Sequence, residues 1–111
     1  MKIQESKQGA VTVLKPAGPL TQADAAEFKS AALKALESNL GRILVDMSAI
    51  PFADSMGLEA LVEVTEQMQQ SGQMLKLCAT NKTLREVFTL TGTAPLFEHF
   101  DDVNTAIRSF L

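Results

Sequence analysis

The residues of this chain best suited to chemistry stand together in "FADSMG", Phe52 to Gly57, where an acid, a hydroxyl and a glycine follow an apolar run and precede a helical pattern. By composition alone, Asp54 or Ser55 is the N-cap of the helix that starts here. A serine at such a helix start is also a good place for a phosphate. The helix dipole and its free amide groups favour negative charge there, and a phosphoryl group would add about 1.5 to 2 negative charges beside Asp54. Gly57 keeps the first turn uncrowded, and Ser55 projects from one end of the sheet that the preceding strand joins.

Other chemistry is poorly supplied. One histidine and one cysteine do not make the usual nitrogen and sulfur metal site, and the carboxylates lack calcium-loop spacing, so no metal and no cofactor is expected. Neither a G-x-x-x-x-G-K-[ST] nor a G-x-G-x-x-G loop occurs. Cys78, in "MLKLCA", reads as a buried strand thiol, and His99, in "FEHF", as a surface or half-buried strand residue, although folding could bring the two together. Asp46 ends the run "RILVD" as a phospho-accepting aspartate would, but the acidic pair and lysine that accompany one are absent; an Asx-type turn through Ser48 fits better. Asp101 and Asp102 begin the last helix, where capping accounts for them.

The elements that must position these residues follow from hydrophobic spacing. Short strands are expected around Ile3 to Glu5 and Ala10 to Lys15, joined by a hairpin turn at Gly9. "PAGPLTQAD" leads into a helix over about Asp24 to Ser38, capped by Thr21 or Asp24, with Ala25, Phe28, Ala32, Leu33 and Leu36 on one face. "RILVDM" is apolar on consecutive positions, the mark of a strand covered on both sides. Ser55 to Ser71 then reads as an amphipathic helix with Leu58, Leu61, Val62, Thr65 and Met68 inward. A strand in "QMLKLCA", a helix capped by Thr80 or Asn81 with Leu84, Val87, Phe88 and Thr91 on one face, an edge strand in "PLFEHF" and a last helix from about Asp101 complete the chain. That order predicts an α/β fold, a mixed sheet of about four to five strands with about four helices packed against it by right-handed crossovers.

With 111 residues, no internal repeat and no linker, residues 1–111 are expected to form one domain. A net charge of -3 gives no electrostatic footprint for nucleic acid or an anionic membrane. No apolar run reaches membrane-spanning length and "MKIQESKQGA" has no signal-peptide core, so a cytoplasmic address is the default.

Taken together, "RILVDMSAIPFADSMGLEAL", with "AGPLTQADAAEFK" before it and "GQMLKLCATNKTLREVFTLTG" after it, resembles the signature of the STAS domain, in particular the stand-alone anti-sigma factor antagonists of bacteria. The resemblance covers most of the chain. It implies a non-enzymatic partner switch. Ser55 would be phosphorylated by an anti-sigma factor that is a serine kinase with a histidine-kinase-like ATP-binding fold, and a metal-dependent serine phosphatase would restore it. The unphosphorylated form, a monomer, would bind the anti-sigma factor and so free a sigma factor for transcription. Asp54 would orient or activate the hydroxyl, Gly57 would allow close approach of the partner, and Leu58 would share the binding surface.

Two positions depart from the family pattern. Thr21 stands where an acid often precedes the first helix, and Met56 where a small residue usually separates the serine from the glycine. The same resemblance leaves two other functions open: a STAS subunit docking onto the ATPase of a lipid or anion transporter, and a nucleotide-binding STAS protein.

Overall fold

The structure is a computed structural model describing residues 1–111. Strands β1 (Lys2–Gln8) and β2 (Val11–Ala17) form an antiparallel hairpin in which Gln8 pairs with Val11. The turn between them needs a left-handed backbone, which Gly9 supplies at φ 64°. β2 continues through helix α1 (Gln22–Ser38) to β3 (Ile43–Asp46), and β3 through α2 (Ser55–Gln69) to β4 (Leu75–Cys78). Helix α3 (Lys82–Leu90) and a 3-10 turn, Ala94–Leu96, lead on to β5 (Phe97–Phe100), and α4 (Val103–Arg108) follows.

The strands lie in chain order, β1 to β5, with only the first pair antiparallel. Successive right-handed crossovers that all step in one direction put their helices on one face. α1, α2 and α3 therefore share that face, while α4 alone touches β3, β4 and β5 from the other.

The two covered faces explain the strand sequences. Ile43 and Val45 enter the large core under α1 to α3, Leu44 enters the small core under α4, and all four residues of β3 are buried. Leu77 and Cys78 divide in the same way. Since Leu77 pairs with His99 and Cys78 with Phe100, alternation sends the thiol and the imidazole to opposite faces. Cys78 is buried, and burial, with the charges of Asp46 and Asp102, pushes its thiol up to about 12, so it stays protonated. His99 is exposed at the sheet edge, with Nε2 2.8 Å from the Ala94 carbonyl.

The expected element order and fold class stand, with local shifts of physical origin. α2 turns Gly57, Ala60, Leu61, Val64, Thr65 and Met68 inward, while Leu58 and Val62 are half-buried, because α1 packs along its side and shares the burial. α1 likewise buries Ala35, and Leu33 and Leu36 sit at its margin. The inward face of α3 narrows to Leu84 and Phe88; Val87 is only half-buried and Thr91 is an exposed C-cap. Pro95 coils into the 3-10 turn, so β5 begins at Phe97. The last helix starts after Asp102, whose side chain accepts from the Thr105 amide at 2.7 Å, and Asp46 makes the expected turn by accepting from the Ser48 amide at 3.0 Å. No helix is long and apolar enough to cross a membrane.

Candidate functional site

Two loops at the carboxyl end of the parallel strands build the site. The chain leaving β2 and the chain leaving β3 are stitched by backbone bonds: Gly18 to the Ala49 carbonyl at 3.0 Å, Leu20 to the Phe52 carbonyl at 3.0 Å, and Asp54 to the Leu20 carbonyl at 3.1 Å. Leu20 and Ala53 thereby form an isolated parallel bridge. From the other side, the Asn81 amide donates to the carbonyls of Ile50 at 3.2 Å and Pro51 at 3.1 Å. The segment carrying Ser55 is thus held from both flanks.

Asp54, not Ser55, is the N-cap of α2. Its Oδ1 accepts from the Gly57 amide at 2.8 Å, and its Oδ2 accepts from the Gln22 amide, the first of α1, at 2.9 Å. One carboxylate therefore caps two helices. Thr21 occupies the N-cap position of α1 but its hydroxyl makes no cap bond, and Asp24 turns to the terminal amino group of Met1 at 2.9 Å; the cap expected from Thr21 or Asp24 is supplied by Asp54 across the interface. These amide bonds, Gly57 first and Gln22 next, hold the Asp54 carboxyl below the usual carboxylate range.

Ser55 is the first residue of α2 and is exposed, and its hydroxyl has no hydrogen-bond partner in the chain. Asp54 does not bond to it: both carboxylate oxygens are turned to backbone amides, and the lowered pKa makes the carboxylate a weaker base. Met56 and Phe52 flank the serine with 43% and 49% of their surfaces exposed, an apolar border for a residue of this polarity. Leu58 is half-buried behind them. Gly57 is buried, and the close approach that it permits is by Leu20 of the same chain; a Cβ there would stand 2.0 Å from the Leu20 carbonyl oxygen. Gly57 presents no side surface to a partner.

The structure therefore brings Asp54, Ser55, Met56 and Gly57 together with Thr21, which precedes the amide that Asp54 accepts. Sequence reasoning missed the parts played by Phe52, Gln22 and Asn81. Phe52 carried a signal, a large apolar residue in a loop, whereas the Gln22 and Asn81 contacts join residues 32, 31 and 30 positions apart and have no local signature.

A free hydroxyl stands at a helix amino end, and no base of this chain is directed at it.

The chain belongs to the STAS domain family, whose profile matches residues 2–106. A Bordetella bronchiseptica protein, BtrV, described as a candidate anti-sigma factor antagonist, is 23% identical over 110 residues, covering 99% of this chain and 95% of its own. The fold superposes on a candidate anti-sigma factor antagonist of Thermotoga maritima with a TM-score of 0.88 at 21% identity, over 96% of this chain and 92% of that one. It also matches the anti-sigma factor antagonist SpoIIAA in its unphosphorylated form, with a TM-score of 0.80 at 17% identity over 98% and 96% of the two chains. The phosphorylated form of SpoIIAA from Bacillus matches with a TM-score of 0.73 at 18% identity over 99% and 100%.

Proposed function

We propose that this STAS protein is an anti-sigma factor antagonist switched by phosphorylation of Ser55. The observation that carries the reading is the exposed, unpartnered Ser55 hydroxyl at the start of α2, in a stretch that also exposes the large apolar residues Phe52 and Met56. It is supported by the names of the relatives, BtrV among them, and by the existence of SpoIIAA in a phosphorylated form.

In this reading the unphosphorylated surface docks onto an anti-sigma factor with serine kinase activity, in the cytoplasm, and a sigma factor is released. The partner supplies ATP and the base; this chain supplies a rigidly presented hydroxyl and catalyses nothing itself. Phosphate on Ser55 would place about 1.5 to 2 negative charges next to ionised Asp54. The two anions would then compete for the same helix-end amides, and the flanking apolar surface would carry a charge that a partner complementary to Phe52 and Met56 cannot bury. Docking fails without refolding, and a serine phosphatase reverses the state.

The test is incubation with the cognate anti-sigma kinase and ATP, followed by mass spectrometry and a binding assay. Phosphate is expected on Ser55. Ser55→Ala should bind and resist release, at little cost to the fold because Asp54 is the cap. Phosphate elsewhere with Ser55 intact, or release of Ser55→Ala as readily as the native protein, overturns the reading.

A further inference from the structure

A cleft of about 340 Å³, with no residue of the Ser55 segment in its lining, lies between α3 and the ends of β4 and β5. It opens at the carboxyl end of the parallel strands β4 and β5, and its volume lies in the range of small-molecule sites. The lining has three features that converge.

The first is charge. Arg85 and Asp101 line the same cleft, yet neither takes part in any of the ion pairs of the chain, with each other or with a third residue. Opposite charges that face one space without meeting can each take a ligand group of the other sign. The second is an apolar wall. Phe88 lies against Phe97 and His99 with ring centres 5.4 and 5.7 Å away, and the His99 ring, exposed to the cleft, is fixed by its Nε2–H donating to the Ala94 carbonyl; Phe100, the next residue, turns its ring to the α4 face instead. The third is the backbone. Ala79, at the floor, is held at φ 57°, a left-handed conformation uncommon for a residue with a side chain. Such strain persists where surrounding structure imposes it and clusters at ligand sites.

We propose that this cleft binds a small zwitterion with an apolar body, of the type of an aromatic α-amino acid: Arg85 takes the carboxylate, Asp101 the ammonium group, and the aromatic wall takes the side chain. The site does not depend on the role of Ser55, although the two are neighbours in the fold. Thr80 lines the cleft, and the next residue, Asn81, holds the Ile50 and Pro51 carbonyls of the segment that presents Ser55.

The experiment titrates the full nitrogen-15-labelled chain separately with L-phenylalanine, 3-phenylpropionate, which lacks the ammonium group, and phenethylamine, which lacks the carboxylate. L-Phenylalanine is expected to give saturable shifts at the amides of Ala79, Thr80, Arg85, Thr89 and His99. Each truncated probe should bind about tenfold more weakly or worse, the loss expected when a charged hydrogen bond is removed. Arg85→Gln should abolish the preference over phenethylamine, and Asp101→Asn the preference over 3-phenylpropionate. Both residues are exposed, so these variants should keep the native spectrum. Absence of saturable shifts, shifts confined to other residues, equal affinity for the three probes, or retention of both preferences in the variants overturns the proposal.

Discussion

Replacing Gly57 with alanine tests the packing that presents Ser55. On helix propensity alone the substitution stabilises by about 1 kcal/mol, since glycine is the poorest helix former after proline. The tertiary structure reverses the sign. The new Cβ would lie 2.0 Å from the Leu20 carbonyl oxygen, 2.7 Å from its carbonyl carbon and 3.0 Å from its Cγ. Two of these three atoms are backbone, so no rotamer change relieves the clash. Ordinary contact returns only after a separation of more than about 1 Å.

Leu20 cannot yield freely. Its carbonyl accepts the Asp54 amide at 3.1 Å and its own amide donates to Phe52 at 3.0 Å. Overpacking costs about 1–3 kcal/mol, and weakening these two bonds adds about 0.5–1.5 kcal/mol each. After the propensity gain, the expected net loss is about 3 kcal/mol, or a fall in Tm of about 12–24 °C for a domain of this size. Thermal and urea denaturation measure it, and amide spectra should show the largest changes at Leu20, Gln22 and Asp54 to Leu58. A Tm equal to or above that of the native protein, with those amides unmoved, would refute the argument that Gly57 is selected by the approach of Leu20.

Two further substitutions and a pH titration examine the same frame. The Asp54 carboxyl is held below the ordinary carboxylate range by the Gly57 and Gln22 amides, so its stabilisation is complete above that range and is lost as pH falls through the folded value. Asp54→Asn keeps one acceptor but cannot accept both amides, and urea midpoints measured from about pH 6 down to pH 2 should fall less steeply than those of the native protein; parallel curves would exclude the double cap. Thr65 is buried, donates to the Leu96 carbonyl at 2.7 Å and accepts the Leu75 amide at 3.0 Å, so Thr65→Val should cost roughly 1–3 kcal/mol per orphaned group in urea unfolding. Thr12, equally buried, has no partner for its hydroxyl, and Thr12→Val should leave stability unchanged or raise it in the same assay.

Much of this protein was legible along the chain because its determinants are local. Consecutive apolar residues in "RILVD" announced a strand covered on both faces, helical spacing announced α1 to α4, and Asn81 and Asp102 sit where cap chemistry requires them. Ser55 was visible as a hydroxyl at a helix start after a strand and a loop. The inward faces of the helices were less legible, since periodicity identifies an apolar stripe but not which neighbour covers its margins. Leu58 and Val62 are apolar for the sake of the helix packing, and only the presence of α1 beside α2 leaves them half-buried.

The roles around Ser55 required the folded chain. Sequence alone determined the order of elements and the α/β class, because each follows from residues within a turn or two of one another. Only the tertiary structure decided that Asp54 caps two helices, that Gly57 makes room for Leu20, and that Arg85 and Asp101 line one cleft. Each of these depends on which distant backbone atom arrives within about 3 Å, and that distance is set by how the crossovers stack the helices on the sheet.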